Sequence, residues 1–168
     1  MKASVLILLA AMSLSASAQS ADTIYQQACG PKAARFNVQL VSGQPPAALE
    51  PGKALVYFIQ DESGYFITKV GLDGAWVGAI ERNSYLFATV APGEHHACAM
   101  WQRNLGNAMH PTPHFAHFTA EAGKVYYYLI HSVDANVGVE FLELGPVDRD
   151  EALFKISSNS QSVTKPKP

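Results

Sequence analysis

After its first eighteen residues this chain has no apolar run long enough to cross a bilayer, so no later membrane span is expected. It carries only two cysteines, with no C-x-x-C and no H-E-x-x-H, which removes the usual spaced zinc motifs. No serine stands in G-x-S-x-G, and no glycine-rich loop could cradle a phosphate. The formal net charge is -2, and the basic residues form neither a stripe nor an amphipathic helix. Nucleic acid and membrane surfaces are therefore not expected partners. There is no internal repeat and no sign of a second domain.

What is present begins with a leader. Lys2, the apolar stretch ASVLILLAAMSLS and the small residues Ala16 and Ala18 predict a secretory signal over 1–18, cleaved after Ala18. No cysteine follows the apolar run, so lipid attachment at a new N-terminus is not expected. The remainder, Gln19 to Pro168, is one domain by length, and a periplasmic or secreted location is expected. In an oxidising compartment an even cysteine count favours pairing of Cys29 with Cys98. Such a bridge closes a loop of roughly 70 residues, worth on the order of 4 kcal/mol in the chain-entropy model. Two separate buried thiols are the alternative.

The segment ADTIYQQACGP predicts a short helix, capped by Asp22 and ended by Gly30 and Pro31. The body reads as β. RFNVQLV alternates like a half-buried strand, and KALVYFIQ is a continuous apolar run suited to a central one. Asp73-Gly74, between two such runs, predicts a type I′ hairpin. Turns at ERNS and APGE extend this into four consecutive strands of a meander, ending in HHACAMW. HFAHFTA and VYYYLIHSV predict a further hairpin around Gly123, and ANVGVEFLEL a last strand. Asp148 with Glu151 matches a capping box opening a short helix, whose apolar face is Ala152, Leu153 and Ile156. Together these predict an all-β fold, an immunoglobulin-like sandwich of about eight strands over 35–156, with a lipocalin-like barrel as runner-up. Residues 19–34 form an N-terminal segment tied by Cys29, and 157–168 read as a disordered tail.

The densest chemistry is GEHHACAMWQ. In a strand, His95, Ala97, Ala99 and Trp101 share one face, while His96, Cys98 and Met100 share the other. His96 could then join His110, His114 and His117 at a copper or zinc ion, with Cys98, Met100 and Met109 as soft donors for copper. A nucleophilic Cys98 would need His96 as its base. A bridged Cys98 can do neither. The run VYYYLI puts Tyr126 and Tyr128 on one face and Tyr127 on the other. This strand is either covered on both sides or exposes aromatics to a protein or glycan. No catalytic residue, enzymatic activity or resident cofactor is expected.

PGKALVYFI, VGLDGAWVGAIERNSYLFATVAPGEHHACAMWQ and FTAEAGKVYYYL together resemble the bacterial family called domain of unknown function 2846, over roughly residues 51 to 144. The resemblance implies an exported β-sandwich domain and no established activity, so no site residue is carried over. The expected function is a non-enzymatic accessory or binding module of the cell envelope, with an unknown protein or glycan as partner. The alternative is a periplasmic copper- or zinc-binding protein.

Overall fold

A computed structural model describes residues 20–43, 47–61, 66–102, 112–134 and 140–168. Two helices and ten strands run in the order α1 (Ala21–Ala28), β1 (Phe36–Val41), β2 (Ala54–Gln60), β3 (Thr68–Leu72), β4 (Ala75–Ile80), β5 (Ser84–Val90), β6 (Gly93–Trp101), β7 (His114–Ala120), β8 (Val125–Asp134), β9 (Glu140–Pro146), α2 (Arg149–Ser158) and β10 (Ser160–Pro166). They form a six-stranded sheet, β1-β10-β5-β2-β8-β9, and a four-stranded sheet, β4-β3-β6-β7. The fold is all-β and sandwich-like. Both sheets are open, which removes the barrel reading.

β2 is buried along its whole length because it lies between β5, antiparallel, and β8, parallel. A strand covered on both faces needs no polar alternation. Its residues Val56 and Phe58 meet Val70, Ala97, Ala99, Trp101, Phe118 and Ile130 in the layer between the sheets. The hairpin at Asp73-Gly74 forms as expected, with φ of 51° and 80° at its two central residues. β8 is packed on both faces. Tyr126 and Tyr128 join the inner layer, and Tyr127 stacks on Tyr57 outside it, at 5.7 Å between ring centroids.

Four expectations are corrected. β3 to β6 are not a meander: β3 pairs with β4 and β6, while β5 crosses to the large sheet. Likewise β7 and β8 are not a hairpin, since Gly123 turns the chain from one sheet to the other. Turn chemistry fixes a chain reversal but not the sheet that receives the next strand. The helix α1 is capped by Ser20, whose hydroxyl accepts from the Thr23 N–H at 3.2 Å, rather than by Asp22. Most consequentially, the tail expected to be disordered is a strand. β10 inserts between β1 and β5, pairing antiparallel with the first and parallel with the second. Backbone ladders and a buried 2.7 Å hydroxyl contact between Ser84 and Ser162 hold it, so its few apolar residues do not prevent it from ordering.

α2 begins at Asp148 as expected, the carboxylate accepting from the Asp150 N–H at 2.8 Å. Ala152 and Ile156 pack on the large sheet, but Leu153 points outward, so the apolar face is narrower than expected. Among the described residues no helix is long and apolar enough to cross a membrane.

Candidate functional site, a cleft beneath the disulfide-tethered helix

The outward face of the small sheet carries Cys98 and Met100, as strand alternation requires. α1 lies across it, and Cys29, its C-cap, is bonded to Cys98. The two Cα atoms are 5.7 Å apart, and no free cysteine is found among the described residues. This close approach depends on Gly71 in β3. A Cβ there would lie 2.7 Å from the Ala28 carbonyl oxygen and 2.9 Å from Cys29 Cα.

The chain after the bridge is strapped down as well. Trp76 Nε1–H donates to the Pro31 carbonyl at 2.8 Å. Lys69 is fully buried, and its Nζ donates to the carbonyls of Lys32 and Ala34 at 3.1 and 3.2 Å. The same ammonium sits 4.3 Å from the Trp76 ring centre. It meets no carboxylate among the described residues. Burial, helped by the nearby Arg35 charge, lowers its pKa to about 8.

Between α1, the end of β6 and the start of β7 is a cavity of about 640 Å³, lined by Tyr25, Lys32, Arg35, Met100, Gln102 and Phe115 among others. Pockets of roughly 300–1,000 Å³ hold small-molecule ligands. The apolar side chains of its walls are Met100 and Phe115. Gln102 shapes the floor, because its side-chain amide pairs with both the N–H and the carbonyl of Phe36 at 2.6 and 3.0 Å. Two polar groups in the lining are uncommitted. The Tyr25 hydroxyl is closed off from solvent and finds no hydrogen-bond partner among the described residues. Its pKa is raised by that burial. The Arg35 guanidinium makes no hydrogen bond or ion pair with the described residues. By contrast, Lys32 is 3.4 Å from Asp22 and lies 4.9 Å from the Tyr25 ring centre.

The histidines do not gather as one cluster. His95 turns inward, its Nδ1 meeting the Asp73 carboxylate at 2.6 Å and its Nε2 donating to the Ala91 carbonyl at 2.8 Å. Asp73 also accepts the His96 N–H at 2.9 Å, so this side chain locks the hairpin tip to β6. His96 and His117 face each other across the β6–β7 ladder, with ring centres 4.9 Å apart. His114 is directed elsewhere and accepts the Leu144 N–H on Nδ1 at 3.1 Å. His110 and Met109 lie outside the described residues. Among the described residues no group of three or more His, Cys, Asp or Glu side chains could hold a metal ion. Among the described residues the expected imidazoles bring together one pair, His96 and His117, and Cys98, being bridged, is neither a thiolate ligand nor a nucleophile.

Sequence reasoning did not find Tyr25, Arg35 or Lys69. Only Lys69 left a local signal, a lone cation inside the apolar run FITKVGL. No family model matches the chain, and no curated protein is similar to it in sequence.

Proposed function

We propose that this protein is an exported, non-enzymatic binding module of the bacterial cell envelope, and that its ligand site is the cleft beneath α1. The observation that carries this reading is the cavity of about 640 Å³ between α1, β6 and β7, with Met100 and Phe115 among its lining residues. The disulfide fits an oxidising, extracytoplasmic compartment. Periplasmic or secreted residence, the signal over 1–18 and membership of the domain of unknown function 2846 family belong to this proposal and rest on the sequence motifs. An immunoglobulin-like arrangement is part of it too, supported by two sheets that share one apolar layer.

A thermal-shift screen of the oxidised protein against a diverse small-molecule set tests the reading. Ligands are expected that raise the melting temperature saturably and are recovered chemically unchanged. Their effect should vanish in Phe115→Glu, which places a charge at a half-exposed wall position. A screen without any ligand sensitive to Phe115→Glu would overturn it.

One observation favours a second reading, a copper- or zinc-binding protein: the His96–His117 pair. Two imidazoles are half of a tetrahedral zinc shell, and imidazole also suits copper. Elemental analysis decides it. Stoichiometric metal that is lost in His96→Ala supports this reading, and metal-free protein with no uptake from solution rejects it.

A further inference from the structure

The edges of an open sheet recruit further strands unless something covers or charges them. Three of the four edges in this sandwich are managed. β9 carries Glu140 and Glu143, ends at Pro146, and gives its Leu144 N–H to His114 at the start of β7, which ties those two edges together. The pairing of β4 with β3 is broken by a register shift between Val70 and Gly71, and β4 lies against β5 and β10. β1, FNVQLV, has no charge, proline or glycine. Its odd-numbered residues face β10, in line with the 2.8 Å bond from the Lys167 N–H to the Arg35 carbonyl. Its even-numbered residues therefore point their N–H and carbonyl groups outward. Those of Phe36 are taken by the Gln102 side-chain amide, which makes the contacts that a neighbouring strand would make. Those of Val38 and Leu40 have no partner among the described residues. The same edge ends in a basic corner. Lys32, Arg35, Lys165 and Lys167 are exposed there, brought together by the β1–β10 register. Lys32 meets Asp22, and the other three make no ion pair with a described residue.

We propose that the outer edge of β1 docks an extended protein segment, added antiparallel, with acidic residues at its C-terminal end. Main-chain hydrogen bonds to Val38 and Leu40 hold the segment, as in other strand additions. Antiparallel pairing is the more stable of the two orientations. The added strand must leave the edge at Phe36, where Gln102 already occupies the backbone groups. Its C-terminal end then lies beside Arg35 and one strand away from Lys165 and Lys167, within reach of all three. Charge complementarity selects this segment over a second copy of β1. Paired the same way, a second copy would bring the residues after its own Leu40 to the basic corner, and these hold no carboxylate before Glu50. The proposal does not rest on the ligand-binding reading of the cleft.

Hydrogen exchange of the free protein gives the first test. The Val38 and Leu40 amides should exchange fast and the Gln39 and Val41 amides slowly. Protection of all four would show that the chain itself or a second copy already covers the edge, and the proposal would fall. A displayed library of random nonapeptides, selected on the oxidised protein, should enrich uncharged β-forming sequences that end in Asp or Glu. Such a peptide should shift the Val38 and Leu40 amide resonances. Leu40 is exposed, so Leu40→Lys should leave the melting temperature nearly unchanged while weakening the peptide at least tenfold. Leu40→Pro, which deletes an outward N–H and spares the ladder to β10, should do the same. Lys165→Glu combined with Lys167→Glu should weaken binding roughly tenfold and flatten its salt dependence. A peptide with lysines in place of its acidic residues should recover on that charge-reversed protein. Failure to enrich any peptide, enrichment without the acidic end, or binding indifferent to Leu40→Lys and to charge reversal would each overturn the proposal. Dimers in sedimentation that are lost in Leu40→Pro would assign the edge to a second copy instead.

Discussion

Each sheet of the sandwich is covered on its outer face by one helix, and the two covers differ in completeness. Over the large sheet, α2 presses Ala152 and Ile156 onto an aromatic row in which Tyr57 contacts Tyr85, Phe87 and Tyr127 at 5.7 to 6.0 Å. The central Tyr57 hydroxyl accepts the Ala47 N–H at 3.0 Å, and the helix cation Lys155 is bonded to Asp61 and lies 3.5 Å from Glu151. Over the small sheet, α1 is held by a covalent bond. Among the described residues its tyrosine hydroxyl finds no partner, and the buried Lys69 meets two carbonyls and a ring. On the large-sheet side these groups are paired, while the buried His131 Nδ1 of β8, on the Tyr127 face, finds no partner among the described residues. The other cover is fixed in place by a bridge, with the Tyr25 hydroxyl closed off from solvent and the Lys69 ammonium held by two carbonyls.

The sharpest way to break this contrast is to cut the bridge. Replacing Cys29 and Cys98 together by alanine is expected to cost about 4 kcal/mol by loop closure over the intervening chain, within the usual range of 2–5. Urea denaturation measures the loss. Hydrogen exchange should show α1 losing protection first while α2 retains it, because few other contacts hold α1 down. Equal loss over both helices would mean that the two covers are one cooperative unit.

A smaller cut tests the seat of the helix rather than its tether. Gly71→Ala puts a methyl group under 3.0 Å from backbone atoms of Ala28 and Cys29, which cannot swing aside. A cost of about 1–3 kcal/mol is expected. Gly145→Ala, in β9 of the large sheet, meets nothing within 4 Å and should change stability little. Comparable losses at both positions in denaturation curves would remove the close approach of α1 as the reason for Gly71.

What the sequence disclosed and what it hid follow the range of the forces involved. The Asp73-Gly74 turn and the Asp148 cap are decided within four residues, and β2 announces its double burial by lacking polar alternation. The disulfide was legible from cysteine count and compartment alone. β10 was not, because SQSVTKP contributes ladder hydrogen bonds that nearly any sequence can make, and only the open edge of β1 and β5 selects it. The division of strands between sheets was hidden for a related reason: Gly123 marks a turn whether or not the next strand pairs with the last. The cleft was the least legible feature. Its lining comes from α1, the segment after it, β6 and β7, which adjoin only after the whole chain has been brought together.

A pH titration probes the buried lysine. Lys69 holds its proton less tightly when folded, with a pKa of about 8 against an ordinary 10.5. Above pH 8 the unfolded chain therefore carries a proton that the folded chain has released, and stability should rise with pH. Tyr25, Tyr57, Tyr85 and Tyr128 act in the opposite sense, since burial raises each above its ordinary 10.0. Past pH 10 the unfolded chain loses those protons first, and stability should fall. A maximum is thus expected between pH 8 and 10, and Lys69→Met should abolish the rising limb while sparing the falling one. A rising limb that survives Lys69→Met would assign it to another group.

The finest comparison sets the two tyrosine hydroxyls against each other. Tyr57→Phe leaves the Ala47 N–H without its acceptor and should cost about 1 kcal/mol. Tyr25→Phe removes a hydroxyl that has no partner to lose, so the ligand-free protein should hold its stability or gain slightly. Both substitutions delete the same atom from a buried ring, and side-chain volume and apolar area stay nearly constant between them. A difference in denaturation midpoint therefore reports hydrogen-bond satisfaction alone. If the two variants lose stability equally, Tyr25 has an interaction partner in solution, and the contrast between the two hydroxyls disappears with it.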